Sequence, residues 1–82
     1  MYRAHITVTL RTSILDPQGK AVEHGVHTLG LTGVRNVRIG KHIEMTIDAA
    51  SKQEAEAIAR EASTKLLANP VMEDFTMDVE KL

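Results

Sequence analysis

The order of apolar and polar residues already divides the chain into segments. From residue 2 to residue 11 the pattern has a period of two. Ala4, Ile6, Val8 and Leu10 point one way, and His5, Thr7, Thr9 and Arg11 the other. That alternation predicts a half-buried strand, and threonine suits one. Asp16-Pro17 then opens a helix: Asp16 can accept an N-cap hydrogen bond, and Pro17 fits the first helical position. Val22, Val26 and Leu29 at i, i+4 and i+7 make a narrow apolar stripe, and Gly30 suits the position after the helix end. Gly19 and Gly25 lie inside this helix, where each costs about 1 kcal/mol relative to alanine.

Residues 34–40 and 42–48 read as a hairpin around Gly40-Lys41. Val37 and Ile39 share one face of the first arm. In the second, Ile43, Met45 and Ile47 oppose His42, Glu44, Thr46 and Asp48. Ser51-Lys52-Gln53-Glu54 has capping-box spacing and starts a second helix running to about Ala68. Its predicted buried stripe is Ala55, Ile58, Ala59, Ala62 and Leu66. Leu67 falls off that stripe, roughly 140° from Ala62 at 100° per residue, and either docks on the last strand or faces another subunit. Asn69-Pro70 stops the helix. Residues 71–80 form the final strand, with Val71, Phe75, Met77 and Val79 opposite Asp74, Thr76, Asp78 and Glu80.

The order is β-α-β-β-α-β. Each strand has one apolar face and each helix one apolar stripe. The expected architecture is α+β and ferredoxin-like: an antiparallel four-stranded sheet with both helices on its apolar side. The other face is polar and threonine-rich, with Thr7, Thr9, Thr46 and Thr76 beside His5, His42 and Glu44. Water can cover such a face, and so can a partner.

Composition narrows the function. Eighty-two residues make one domain, 1–82, with no linker, repeat or low-complexity tract. Ten basic and 11 acidic residues give a net charge of −1, so no basic excess drives nucleic-acid binding. Hydrophobic residues make up 43%, yet the aromatics are only Tyr2 and Phe75, so the core is aliphatic and small. Oligomerisation is a common remedy for a core of that size. The absence of cysteine removes disulfides, thiolate nucleophiles and cysteine-ligated zinc. No membrane-length apolar run or signal-peptide core is visible, and a cytoplasmic location is expected.

Catalytic patterns are not evident. His24 and His27 form an i, i+3 pair, but no third ligand lies nearby in sequence, and solvated histidines are the expected reading. There is no nucleophile elbow and no phosphate-binding loop. The carboxylates Glu54, Glu56 and Glu61 fall on a helix with Arg60 and Lys65, the pattern of a solvated face. Small Ala21 and Gly25, off the main stripe, permit close approach of another helix. No catalytic, cofactor-binding or metal-binding residue is expected in this chain.

Three segments carry a resemblance: Leu15-Asp16-Pro17-Gln18-Gly19-Lys20-Ala21-Val22, Val34-Arg35-Asn36-Val37-Arg38-Ile39-Gly40-Lys41, and Leu66-Leu67-Ala68-Asn69-Pro70-Val71-Met72-Glu73-Asp74-Phe75. Together they resemble the PurS family, the small subunit of phosphoribosylformylglycinamidine (FGAM) synthase, over essentially the whole chain. The resemblance implies a non-catalytic subunit of a purine-biosynthetic complex. Its partners would be a synthetase subunit (PurL), which uses ATP and Mg²⁺, and a glutaminase subunit (PurQ), which releases ammonia. The small subunit would sit between them, support assembly and ammonia transfer, and form a homo-dimer or higher homo-oligomer, with no nucleic-acid or membrane partner. Asp16, Pro17, Gln18 and Gly19, with Asn69, Pro70 and Val71, are then candidate partner contacts, joined by Leu67; the alternative is that the first seven are turn and cap residues only. The competing class is a small-molecule regulatory module of the ACT type, since fold alone does not decide function.

Overall fold

The computed structural model describes residues 1–82. Strand β1 (Tyr2–Leu10) lies at the centre of a three-stranded antiparallel sheet ordered β2-β1-β3, with β2 spanning Gly40–Ile47 and β3 Glu73–Lys81. Helix α1 covers Pro17–Thr28 and helix α2 Lys52–Ala62; a π-helical turn, Ser63–Leu67, continues α2. The α+β, ferredoxin-like architecture follows the expected order, with one substitution. The place of the second strand is taken by residues 34–39, which join no ladder, so the sheet has three strands where four were expected.

The missing strand has a local cause. A strand offers its amides to a neighbouring strand. Here two of them are held by side chains of the preceding helix region: Val37 N–H donates to Glu23 Oε1 at 3.2 Å and Ile39 N–H to Asp16 Oδ2 at 2.8 Å. Asn36 also adopts φ +57°, a left-handed conformation that breaks an extended run. The segment is therefore fastened along α1.

Both helix starts match their sequence signals. Asp16 Oδ1 accepts from Gly19 N–H at 2.9 Å, and Ser51 Oγ from Glu54 N–H at 3.2 Å. Glu54 reaches back to the Ala50 amide, one residue before the expected capping-box acceptor. The end of α1 is a Schellman motif: Gly30 N–H bonds His27 O, Leu31 N–H bonds Val26 O, and Gly30 takes φ +88°.

The core lies on one face of the sheet. Tyr2, Ala4, Ile6, Val8, Ile47 and Val79 are buried with Ala55, Ala59 and Ala68 from the α2 region. Alanines along α2 bring its backbone close to β1 and β3. Helix α1 contributes only Gly19 to the buried set. The Val22, Val26 and Leu29 stripe does not enter the core; Leu29 remains 76% exposed. Ile43 and Met45, on the β2 side, are only partly covered. The resulting shape is long: the radius of gyration is 16.0 Å and the extents are 50 × 27 × 14 Å. A compact chain of this length has a radius near 12 Å.

The π-turn corrects the predicted stripe of α2. A strict α-helical count places Leu66 inward. One wide turn rotates the following residues, so Leu67 packs against the core while Leu66 is 81% exposed. Ile58 also lies mostly outward. Val71 precedes β3, in the turn, and is exposed rather than part of the strand's apolar face. A direct check is urea denaturation of two variants. Leu67→Ala should cost about 1–3 kcal/mol, toward the low end of the range for a buried leucine, and Leu66→Ala less than about 0.5 kcal/mol. The reverse order would restore an unbroken α-helix.

Candidate functional site

The residues singled out from sequence converge at one end of the sheet. Asp16 is buried although charged, and both its oxygens are engaged, one by the Gly19 amide and one by the Ile39 amide. These two bonds, with the Arg38 guanidinium nearby, hold its carboxyl below the usual carboxylate range. Gly19 permits close approach of another backbone: a Cβ there would collide with the Val37 carbonyl oxygen. Asp16 thus caps α1, and Gly19 lets the Val37 backbone come close. Pro17 and Gln18, between them, are exposed. Glu23 is likewise held low, first by the Val37 amide.

The second predicted cluster is a turn closed on itself. Asn69 Oδ1 accepts from Val71 N–H at 3.0 Å, and Asn69 O accepts from Glu73 N–H at 2.8 Å. Asn69 N–H donates to Glu73 Oε1 at 2.7 Å. The Asn69 side chain thus makes an Asx turn that fixes Pro70 and Val71 outward. Lys41 Nζ donates to the Leu67 carbonyl at 3.0 Å.

Two arginines not singled out from sequence join these clusters. Arg11, at the end of β1, donates from Nη2 to Pro70 O at 2.6 Å, and its Nε lies 3.3 Å from Asp74 Oδ1. Its amide donates to Met72 O. Its carbonyl in turn accepts from Arg38 Nη2 at 2.8 Å, and the same Arg38 nitrogen reaches Ile14 O at 2.9 Å and Leu10 O at 3.3 Å. Hydrogen bonds run from the Asn69 turn through Arg11 to Arg38, whose guanidinium lies near the Asp16 cap. Arg38 stands within the second resembling segment, but its role depends on a fold in which three carbonyls converge. On either side lie open clefts of about 490 Å³, lined by Asp16, Lys20, Glu23 and Arg38 among others, and about 360 Å³, beside Arg11, Thr64, Glu73 and Asp74.

Beyond this end, α1 and the residues flanking it expose Leu15, Val22, Leu29 and Leu31. His27 Nε2–H donates to Val34 O at 2.7 Å and fastens the segment after α1, while His24 is exposed. Ser63 Oγ–H bonds Ala59 O within its own helix. Chemically, this end of the molecule offers hydrogen-bonding and apolar surface, and Arg11, Asp16, Glu23 and Arg38 each bond the backbone there.

The fold and this surface define a small ferredoxin-like α+β protein with an exposed apolar arm. Residues 3–81 match the family described as PurS: Phosphoribosylformylglycinamidine (FGAM) synthase. The chain belongs to the PurS family. The PurS subunit of Bacillus subtilis (strain 168) is 43% identical over 82 residues, covering 100% of this chain and 96% of that one. A C2 crystal form of B. subtilis PurS superposes with a TM-score of 0.86, over 99% of this chain and 100% of its own. The chain matched in the structure of PurLQS from Thermotoga maritima gives a TM-score of 0.89 at 29% identity, over 96% of each chain.

Asp16 provides the test of the cap. Because its carboxyl is held low, its contribution is present above the unfolded-state value of about 3.9 and is lost as pH falls through the lower folded value. Asp16→Asn should therefore lower the urea midpoint at pH 7, and the gap from the parent should narrow progressively as the pH falls below about 4. A gap that is constant with pH would show that the carboxylate charge is not what holds the cap.

Proposed function

We propose that this chain is the small, non-catalytic subunit of an FGAM synthase of de novo purine biosynthesis, bridging its synthetase and glutaminase subunits and supporting assembly and ammonia transfer. The observation that carries the proposal is full-length PurS membership, together with likeness to the chain matched in the PurLQS structure from T. maritima. ATP and Mg²⁺ belong to the synthetase subunit; this chain contributes surface. Cytoplasm is the fitting location, and no helix is long and apolar enough to cross a membrane.

The long shape and the half-covered apolar face support a homo-oligomer. Leu15, Val22, Leu29 and Leu31 project on the arm, while Ile43 and Met45 are only partly covered. Each such side chain gains roughly 1.5–3 kcal/mol on full burial, so a second copy is a fitting cover. The partner contacts are best placed at Gln18, Pro17, Pro70 and Val71, which are exposed; Asp16, Gly19 and Asn69 shape the backbone that presents them. Leu67 packs inward and acts through the core. No observation favours the ACT-like reading.

The test is glutamine-dependent synthesis of FGAM by the cognate synthetase and glutaminase, with and without this chain. Activity should depend on adding it. Gln18→Arg and Val71→Asp, both at exposed positions, should keep the parent melting temperature and weaken complex assembly at least about tenfold, as disrupting an interface anchor does. Equal activity without the chain would overturn the bridging role. Normal assembly by both variants would move the contact surface elsewhere.

A further inference from the structure

The polar face of the sheet lies outside the surface just described. On it, the ladder register places His5 opposite Glu44, and Thr7 opposite His42. His42 and Glu44 are two residues apart on β2 and so point to the same side. The register thus brings two imidazoles and a carboxylate to one spot. Glu44 Oε1 lies 3.6 Å from His5 Nδ1 and 3.5 Å from His42 Nε2, and the ligand atoms of all three lie within 4.8 Å of one another.

These distances are informative in two ways. They are too long for good hydrogen bonds between the groups. The two distances to Glu44 are close to the spacing of ligands around a tetrahedral ion, since bonds of about 2.0–2.2 Å to nitrogen and oxygen put neighbouring ligands about 3.4 Å apart. The other nitrogen of His5 supplies the second observation. His5 Nε2 lies 3.0 Å from Glu80 Oε1 on β3. With Nε2–H donating to that carboxylate, the Nδ1 lone pair of neutral His5 faces the Glu44 oxygen, which is also electron-rich. A carboxylate that orients a histidine from behind in this way is the recurring support of metal-bound imidazole. The His5 and His42 rings lie 5.8 Å apart between centroids, 26° from parallel, with both nitrogens turned to the same carboxylate oxygen.

We infer that His5, His42 and Glu44 form a surface site for a borderline divalent transition ion such as Zn²⁺, with Glu80 orienting His5. The ligand atoms are His5 Nδ1, His42 Nε2 and a Glu44 oxygen; water completes the coordination. Two imidazoles disfavour Mg²⁺ and Ca²⁺, which prefer oxygen ligands. The ion links β1 to β2 across the open face, where all contributing side chains reach solvent.

The experiment is calorimetric titration of the full chain with ZnCl₂ at pH 7, paired with long-range ¹H–¹⁵N spectra of the imidazoles. One ion per chain should bind, and millimolar Mg²⁺ should not displace it. The spectra should identify Nδ1 of His5 and Nε2 of His42 as the metallated nitrogens. His42→Ala and Glu44→Gln should each weaken binding at least tenfold, and Glu80→Gln about tenfold, the lower end for an orienting carboxylate. His24→Ala should leave it unchanged. Zn²⁺ should raise the melting temperature of the parent but not of His42→Ala. No binding, binding that survives His42→Ala, or metallation of His24 or His27 in place of His5 and His42 would each overturn the site.

Discussion

The structure turns on a buried carboxylate that serves two stretches of backbone at once. Asp16 caps α1 with one oxygen and holds Ile39 with the other. A charge this far from water is stable only when its acceptor capacity is filled, so the cap and the clasp reinforce each other. The consequence reaches the sheet. With the amides of 37 and 39 taken by Glu23 and Asp16, that segment does not add a fourth strand, and α1 is carried beyond the sheet. Arg38 completes the arrangement by gathering the carbonyls of Leu10, Arg11 and Ile14 under it.

This economy leaves a core that is thin but ordered. Ala4, Ile6 and Val8 of the central strand have no exposed surface, and Ala55 and Ala59 let α2 press directly on them. The β2 side of the same face lacks equivalent cover. Burial that one copy leaves undone is still favourable when a second surface arrives. The exposed arm and the half-covered face are two parts of that same deficit.

What was legible in the sequence was what is local. The alternations of β1, β2 and β3, the Asp16 and Ser51 caps, and the Gly30 helix stop all depend on residues within a few positions of one another. The reading of 34–40 as a strand failed because the groups that capture its amides lie 14 and 23 residues upstream. Leu66 was placed in the buried stripe because a helical count at constant pitch has no signal for a π-turn. The Asp16–Gly19 and Asn69–Val71 clusters were found as motifs, but Arg11 and Arg38, which join them, are recognisable only once carbonyls from distant segments converge. His5, His42 and Glu44 were legible as one polar face; their mutual distances required the strand register.

The 50 Å length has a consequence for how this chain responds to change. Sites separated by more than about 7–10 Å and sharing no partner perturb a protein independently. The arm tip at Leu29–Leu31 and the sheet face around His5 communicate only through the narrow joint at Asp16 and Arg38. Substitutions at the two ends should therefore combine additively, and those at the joint should not. A lineage can thus remodel what the arm touches without retuning the sheet, provided the joint is left intact.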